Sequence, residues 1–265
     1  MILTRLKNIF TATAASFGML FLYFPLFIIV LYSFNTESVN SFPIKSWSLR
    51  WYTIMFQDKA LLASLQSSLV VAVIATFIAL IIGIPAAYSI HKYDFPGKKV
   101  LERVVLMPIT LPGIVTGVAM LSFFPFMGLR PSLVAVGIGH ITFLIAIVIT
   151  QLVARFKRLD PFLEQAAYDL GATPLTTFFK IILPNIRTAI IGAVLLCVVL
   201  SMDEIPVTFF LIGGSNTLPI QIYGMMRRGI TPEVNAISTL IFIFSATAVL
   251  LSIRFSGSNR ETITR

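Results

Sequence analysis

A polar, basic connection between two long apolar segments contains the stretch Gln165-Ala166-Ala167-Tyr168-Asp169-Leu170-Gly171, followed by Ile181 and Leu183-Pro184. Adjacent alanines allow a short helix to approach another protein closely, because their side chains are small. Gly171 can end that helix with a positive φ, and Pro184 can occupy the first turn of the next helix, where its missing N–H costs nothing. The segment therefore predicts a docking site rather than a catalytic site.

The composition indicates a membrane protein. Of the 265 residues, 57% are hydrophobic and 12% are charged, which is about half the charged fraction of an average soluble domain. The formal charge of +9 comes from basic residues gathered in short connections between apolar runs, as topology selection requires. No basic stripe interleaved with exposed aromatic residues occurs, so we expect no nucleic-acid partner. The single cysteine, Cys197, excludes an internal disulfide.

Six apolar segments are long enough to cross about 30 Å of hydrocarbon at about 20 residues each. They cover residues 11–34, 63–90, 101–126, 132–154, 187–211 and 234–254. The first segment is too long for the apolar region of a signal peptide, so we interpret it as a retained span. The sequence therefore predicts an all-α, multi-pass membrane protein with six transmembrane helices and a single domain over residues 1–265.

The lysines and arginines predict the orientation of these spans. If both termini are inside, fourteen basic residues lie on the inner side and six on the outer side. Because short inner loops carry an excess of Lys and Arg, the sequence predicts an N-in, C-in topology. The longest inner connection is then 155–186, which contains the predicted docking site.

Two adjacent acids, Asp203 and Glu204, lie in the fifth predicted span. At 1.5 Å per residue, Asp203 is about 24 Å along that span, where a carboxylate facing lipid would cost about 2.5–3.5 kcal/mol. Pro206 cannot donate a hydrogen bond to the carbonyl of Met202, so we expect a kink beside the acids. This pattern indicates either an anionic patch on the pathway of a cationic substrate or an interfacial helix end whose acids meet water or an arginine.

Two other features interrupt the apolar spans. The segment Met107–Gly113 contains two prolines four residues apart, which makes a continuous helix unfavourable. It predicts either a bend that opens and closes a passage or an ordinary proline kink. His140, in the fourth span, could relay protons, but a neutral, hydrogen-bonded packing histidine is the interpretation we favour.

Motifs of catalysis and metal binding are absent from the sequence. No G-x-x-x-x-G-K-[ST], H-E-x-x-H, Cys-x-x-Cys or G-x-S-x-G pattern occurs, and the two histidines are far apart. We therefore expect no catalytic residue, no cofactor and no metal site in this chain. A transport activity would need its energy from elsewhere.

The predicted docking stretch resembles the cytoplasmic EAA motif of permease subunits in binding-protein-dependent ATP-binding-cassette (ABC) importers. That pattern is E-A-A, three residues, G, nine residues, I, any residue, L-P. One departure is that Gln165 stands at the position of the family's Glu, directly after Glu164. The resemblance implies a type I ABC importer permease fold with a docking helix near 163–172. It implies ATPase-docking roles for Glu164, Gln165, Ala166, Ala167, Gly171, Leu183 and Pro184.

Several other stretches resemble the spermidine/putrescine type of these permeases. They are His140–Phe143, Ser201–Glu204, Leu218–Tyr223 and Thr231–Ala236. This resemblance implies a pathway for a small cationic solute, most simply a polyamine, with Asp203, Glu204 and Pro206 beside it. The alternatives are an importer of another small solute and a stand-alone, ion-coupled secondary transporter. The second is disfavoured because the two interrupted spans carry unrelated sequences rather than matching repeats.

The resemblance also implies partners and a location. A second permease subunit, either a copy or a paralogue, would complete the passage within the lipid of a bacterial cytoplasmic (inner) membrane. Two ABC ATPase subunits would dock beneath it and hydrolyse ATP, which this chain would not do. A periplasmic or extracellular solute-binding protein would deliver the substrate.

Overall fold

The computed structural model describes residues 2–229 and 231–257, with side chains for 10–229 and 231–247. Helices account for 78% of the structure and no strand is present in the described part. In chain order the α-helices are α1 (Ile2–Tyr32), α2 (Arg50–Gln57), α3 (Lys59–Lys92), α4 (Lys98–Thr110), α5 (Gly113–Phe123), α6 (Leu133–Phe156), α7 (Phe162–Asp169), α8 (Pro174–Thr177), α9 (Leu183–Asn185), α10 (Arg187–Met202), α11 (Pro206–Leu211), α12 (Leu218–Arg228) and α13 (Pro232–Gly257). A 3₁₀ turn over Phe124–Met127 follows α5, and a π-helical turn over Phe178–Ile182 links α8 to α9.

Three of these helices are long and apolar enough to cross a membrane. They are the Phe10–Tyr32 part of α1, all of α3, and α6, and the number rises to five if each of two bent helix pairs is one span. The sequence predicted six spans. The described residues show the all-helical class, and the number six stays a prediction. The last predicted span, 234–254, falls in α13 and runs beyond the residues whose side chains are described.

The third predicted span, 101–126, is interrupted rather than kinked. The direction of the chain changes by 102° between α4 and α5. The two residues between these helices, Leu111 and Pro112, have extended backbones. Pro112 has no N–H to continue the helix, and a residue before proline is disfavoured in the α conformation. These two effects end α4 at Thr110 and start a new helix at Gly113.

The fifth predicted span, 187–211, is also two helices. Asp203 ends α10, with its N–H bonded to the carbonyl of Val199 at 3.2 Å. The chain becomes helical again only at Pro206, in the first turn of α11, where proline's missing N–H needs no partner. The predicted kink is therefore a three-residue interruption at 203–205.

The two interrupted segments pack against each other where they break. A Cβ on Gly117 of α5 would lie 2.9 Å from the ring of Phe210 and 3.2 Å from the carbonyl oxygen of Pro206. A Cβ on Gly113 would lie 2.9 Å from Cβ of Pro206. Glycine is required at these positions because only its missing side chain allows α5 to approach α11 this closely.

The chain divides into two compact units, one of residues 62–221 and one of the residues before and after them. In the 62–221 unit, small buried residues of α3 such as Ala75 and Ala79 pack with Leu144, Val148 and Leu152 of α6. In the other unit, α13 packs against α1 and α2, and the indole N–H of Trp51 donates to the carbonyl of Asn35 at 2.7 Å.

Candidate docking and transport sites

The predicted docking helix is α7. The carboxylate of Asp160 accepts the N–H of Phe162 at 2.9 Å and caps its first turn. At the other end Gly171 has φ +81°, with Gly171 N–H bonded to the Tyr168 carbonyl at 2.9 Å and Ala172 N–H to the Ala167 carbonyl at 3.0 Å. This pair of bonds is a Schellman motif. The predicted positive φ at Gly171 is therefore confirmed.

The two alanines of the stretch face opposite ways. Ala166 is exposed with Gln165 on the free face of α7, whereas Ala167 is only 3% exposed and packs inside the subunit. Apolar side chains flank the free face, since Phe162 and Leu170 are 67% and 89% exposed. The exposed residues of α7 and its ends therefore include Gln165, Ala166 and these two apolar residues, but not Ala167.

Pro184 lies in the first turn of a short helix. It belongs to α9, which continues a helical run from Pro174, and the direction of the chain changes by 69° only before Arg187. Because proline cannot bond to the carbonyl four residues earlier and its ring crowds that carbonyl, the turn before Leu183-Pro184 is widened to the π form. Pro184 therefore lies in the first turn of the next helix, α9, as expected, and the longer helix α10 begins only at Arg187.

A polar cluster ties α7 to the end of α3. The ammonium of Lys92 donates to Glu164 Oε2 at 2.5 Å, to the Tyr168 hydroxyl at 2.7 Å and to the Tyr88 hydroxyl at 2.8 Å. The Tyr88 hydroxyl in turn donates to Glu164 Oε1 at 3.0 Å. We call these four residues the Lys92 cluster. Of them, sequence reasoning singled out only Glu164.

The two acids of the α10–α11 break have different environments. Glu204 Oε1 accepts the N–H of Val207 at 2.8 Å and caps the first turn of α11. Asp203 is exposed, and its carboxylate makes no hydrogen bond or ion pair within the described residues. Asp203 is therefore free to meet a ligand, whereas Glu204 already has a structural role.

His140 connects α6 to both sides of the break. Its Nδ1 lies 2.7 Å from the Ser201 hydroxyl at the end of α10, and its Nε2 lies 2.9 Å from the Thr208 hydroxyl of α11. The histidine is 1% exposed and sits beside the ring of Phe143. The interpretation of His140 as a hydrogen-bonded packing residue is confirmed. Ser201 and Thr208 were missed, although their positions on either side of Pro206 are a usable signal.

We expect His140→Leu to destabilise the protein, because the substitution leaves two buried hydroxyls, those of Ser201 and Thr208, without a partner. At about 1 kcal/mol or more for each, a loss of about 2 kcal/mol corresponds to a fall in Tm of about 4–8 °C. Thermal unfolding of the detergent-solubilised protein measures it. The control is Thr142→Val, since the Thr142 hydroxyl bonds only to the Ile138 carbonyl of its own helix at 2.9 Å. Equal Tm values for both variants would contradict the proposed role of His140 as a connector.

The long apolar helices and the two interrupted segments indicate the class of protein, a helical membrane protein. Residues 79–258 match the family described as binding-protein-dependent transport system inner membrane component. The chain belongs to this family, and it is therefore a transport component of the inner membrane.

Two curated relatives cover most of the chain. The putrescine transport system permease protein PotI of Escherichia coli (strain K12) is 35% identical over 232 residues, which are 84% of this chain and 82% of PotI. The spermidine/putrescine transport system permease protein PotC of the same strain is 33% identical over 233 residues, 88% of each chain. The resemblance to permeases of this type, inferred from the short stretches quoted above, is thereby confirmed.

A solved structure shares the fold. It is a chain in the crystal structure of a bacterial ABC transporter involved in the import of the acidic polysaccharide alginate, with a TM-score of 0.70 over 94% of this chain and 96% of that one. The two sequences are 19% identical. The likeness therefore shows a shared fold and carries no information about the substrate.

Proposed function

We propose that this chain is the permease subunit of an ATP-driven importer and forms part of the pathway for a small cationic solute, a polyamine such as putrescine or spermidine. The observation that carries the proposal is the identity of 35% to PotI over 84% of the chain. The free carboxylate of Asp203 supports it, because a polyamine is a flexible chain of ammonium groups that a carboxylate attracts.

We further propose that the chain is one permease domain with six spans and with both termini in the cytoplasm. The excess of lysine and arginine in the predicted inner connections supports this topology. It puts the 155–186 connection, and with it α7, on the cytoplasmic side. There α7 is accessible to an ATPase subunit.

The exposed face of α7 supports docking to a partner. Phe162 and Leu170, at the two ends of α7, are 67% and 89% exposed, and Leu175 of α8 is 72% exposed. Burying each such side chain in an interface would stabilise a complex by about 1.5–3 kcal/mol. We propose two ABC ATPase subunits as the partners, because this chain has no phosphate-binding loop of its own. A second permease subunit and a soluble solute-binding protein would complete the importer.

The α10–α11 break supports a pathway at Asp203, Glu204 and Pro206. Non-helical backbone at membrane depth is tolerated where it lines a cavity or lies inside the protein. Glu204 and Pro206 build this break, the first by capping α11 and the second by starting it. Asp203 then offers a single free charge. This charge attracts a cation in transit without the tight binding that would slow its release.

The test is reconstitution in proteoliposomes. The chain is expressed with an ATPase, a second permease and a binding protein of the same organism, and uptake of radiolabelled putrescine is measured. We expect co-purification of the ATPase, and uptake that needs ATP and the binding protein and stops with a non-hydrolysable nucleotide. Uptake by the isolated chain under an ion gradient would instead identify a secondary transporter. If another solute is taken up, and neither putrescine nor spermidine is, only the proposed substrate is wrong.

A further inference from the structure

We propose that the Lys92 cluster is the link through which movement of α7 reaches α3, and that Lys92 and Glu164 are positioning residues for the coupling of ATP hydrolysis to transport. This inference rests on the proposed function, in which α7 docks an ATPase. It assigns a role to charges within this subunit rather than to contacts with the ATPase.

The cluster is built from two interlocking pairs. Tyr88 and Lys92 are four residues apart on α3, and Glu164 and Tyr168 are four residues apart on α7, so each pair lies on one face of its helix. An ammonium has three donors, and in Lys92 they reach one carboxylate and two hydroxyls. The ammonium also lies 5.1 Å and 5.3 Å from the ring centres of Tyr88 and Tyr168. All three donors of the Lys92 ammonium therefore have a partner within the cluster.

The charged pair of the link is partly shielded from water. The side chains of Lys92 and Glu164 are each 21% exposed, whereas the Lys98–Asp94 pair nearby leaves Asp94 98% exposed. Exposed pairs are screened and contribute little, but a half-buried pair that also bonds two hydroxyls holds its geometry. The Lys92 cluster can therefore transmit a displacement of α7 that a surface ion pair would not transmit.

The α3 side of the link is fixed in the core. The ring of Tyr88 lies 5.7 Å from that of Phe156 in α6 and 4.9 Å from that of Phe178 in the π-helical turn, and His91 stacks on Phe156 at 5.5 Å. Lys92 is the last residue of α3, a helix of 34 residues. A shift of α7 is therefore passed to the end of a long helix that is packed against α6.

Glu164 does not take the place of the acid that the docking pattern has at position 165. Gln165 is exposed and uncharged, whereas the charge one position earlier is turned inward to Lys92. Glu164 is thus engaged within the subunit. Removing the charge of Glu164 should therefore weaken the coupling of α7 to α3 more than the binding of α7 to the ATPase.

The experiment uses the complete importer in proteoliposomes with Lys92→Met, Glu164→Gln and the exchanged double variant Lys92→Glu/Glu164→Lys. We expect normal ATPase co-purification in all three. We expect solute imported per ATP hydrolysed to fall about fivefold in each single variant, at the lower end of measured couplings between sites. The double variant should recover most of the loss, because the hydroxyls of Tyr88 and Tyr168 can donate or accept and suit either arrangement.

Lys98→Met is the matched control, because it removes the lysine of the exposed pair and should leave import per ATP unchanged. The inference is overturned if the single variants keep normal import per ATP, if they lose the ATPase, or if the exchanged variant is as poor as they are. A wild-type complex without ATPase would instead overturn the proposed function, so the two failures are distinguishable.

Discussion

We expect Gly171→Val to lower co-purification of the ATPase with this subunit by about 10- to 100-fold while membrane insertion stays normal. Gly171 has φ +81°, and nothing lies within 4 Å of a Cβ added there. The effect therefore comes from the backbone and not from a clash. A non-glycine residue in a sparsely populated conformation costs about 1–3 kcal/mol, and each 1.4 kcal/mol is tenfold in an equilibrium constant.

The strain acts on docking because valine relaxes by leaving the left-handed region. The two hydrogen bonds of the Schellman motif, from Gly171 and Ala172 to the end of α7, are then lost. The chain leaves α7 in a new direction, and the exposed Leu170 moves with it. Binding an ATPase then requires the strained conformation to be restored, which lowers the affinity by the amount of the strain.

Gly128→Val is the matched control. Gly128 has φ +73° and also has no atom within 4 Å of an added Cβ, but it ends the 3₁₀ turn in a different connection. Similar losses of ATPase in both variants would show a general folding effect. A normal yield of complex from Gly171→Val would refute the docking role of α7.

The structure changes which alanine probes the same surface. Because Ala167 is 3% exposed, Ala167→Asp would bury an unpaired charge and disturb the packing of the connection itself. Ala166 is on the exposed face. Ala166→Asp therefore tests the interface while the subunit itself stays correctly packed.

Local chemistry in the sequence predicted the local features of the fold. The left-handed end of α7 follows from Gly171, and the interruptions near Pro112 and Pro206 follow from the missing N–H of proline. The angle of each interruption could not be predicted from the prolines. The 102° bend between α4 and α5 depends on how closely Gly113 and Gly117 allow α11 to approach. A single sequence contains no information about which helix takes that space.

The partners of the polar residues could not be predicted for a similar reason. Lys92 and Glu164 are 72 positions apart, and His140 reaches Ser201 over 61 positions. Charge and spacing identified each residue as polar within an apolar chain, but only the contact of α7 with α3, and of α6 with α10, brings them together. The unequal roles of Asp203 and Glu204 are likewise decided by which side chain turns toward the first turn of α11.

We expect Asp203→Asn to lower uptake of polyamine at subsaturating concentration by at least about tenfold, with assembly preserved. Asparagine has nearly the same shape, and the backbone bond from residue 203 to Val199 remains, so the change removes charge alone. Opposite charges about 4 Å apart attract by about 4 kcal/mol at an effective dielectric constant of about 20. A third of that energy corresponds to a tenfold change in uptake.

Glu204→Gln separates the pathway from the cap. Glutamine keeps an oxygen for the N–H of Val207, so α11 still begins at Pro206, and the loss of uptake should be smaller than for Asp203→Asn. Asp94→Asn is the control for charge at the surface, since the Asp94 side chain is 98% exposed. Initial rates of radiolabelled putrescine uptake are compared across concentrations. Unchanged uptake in Asp203→Asn, or an equal fall in both break variants, would remove Asp203 from its proposed place as the free charge on the pathway.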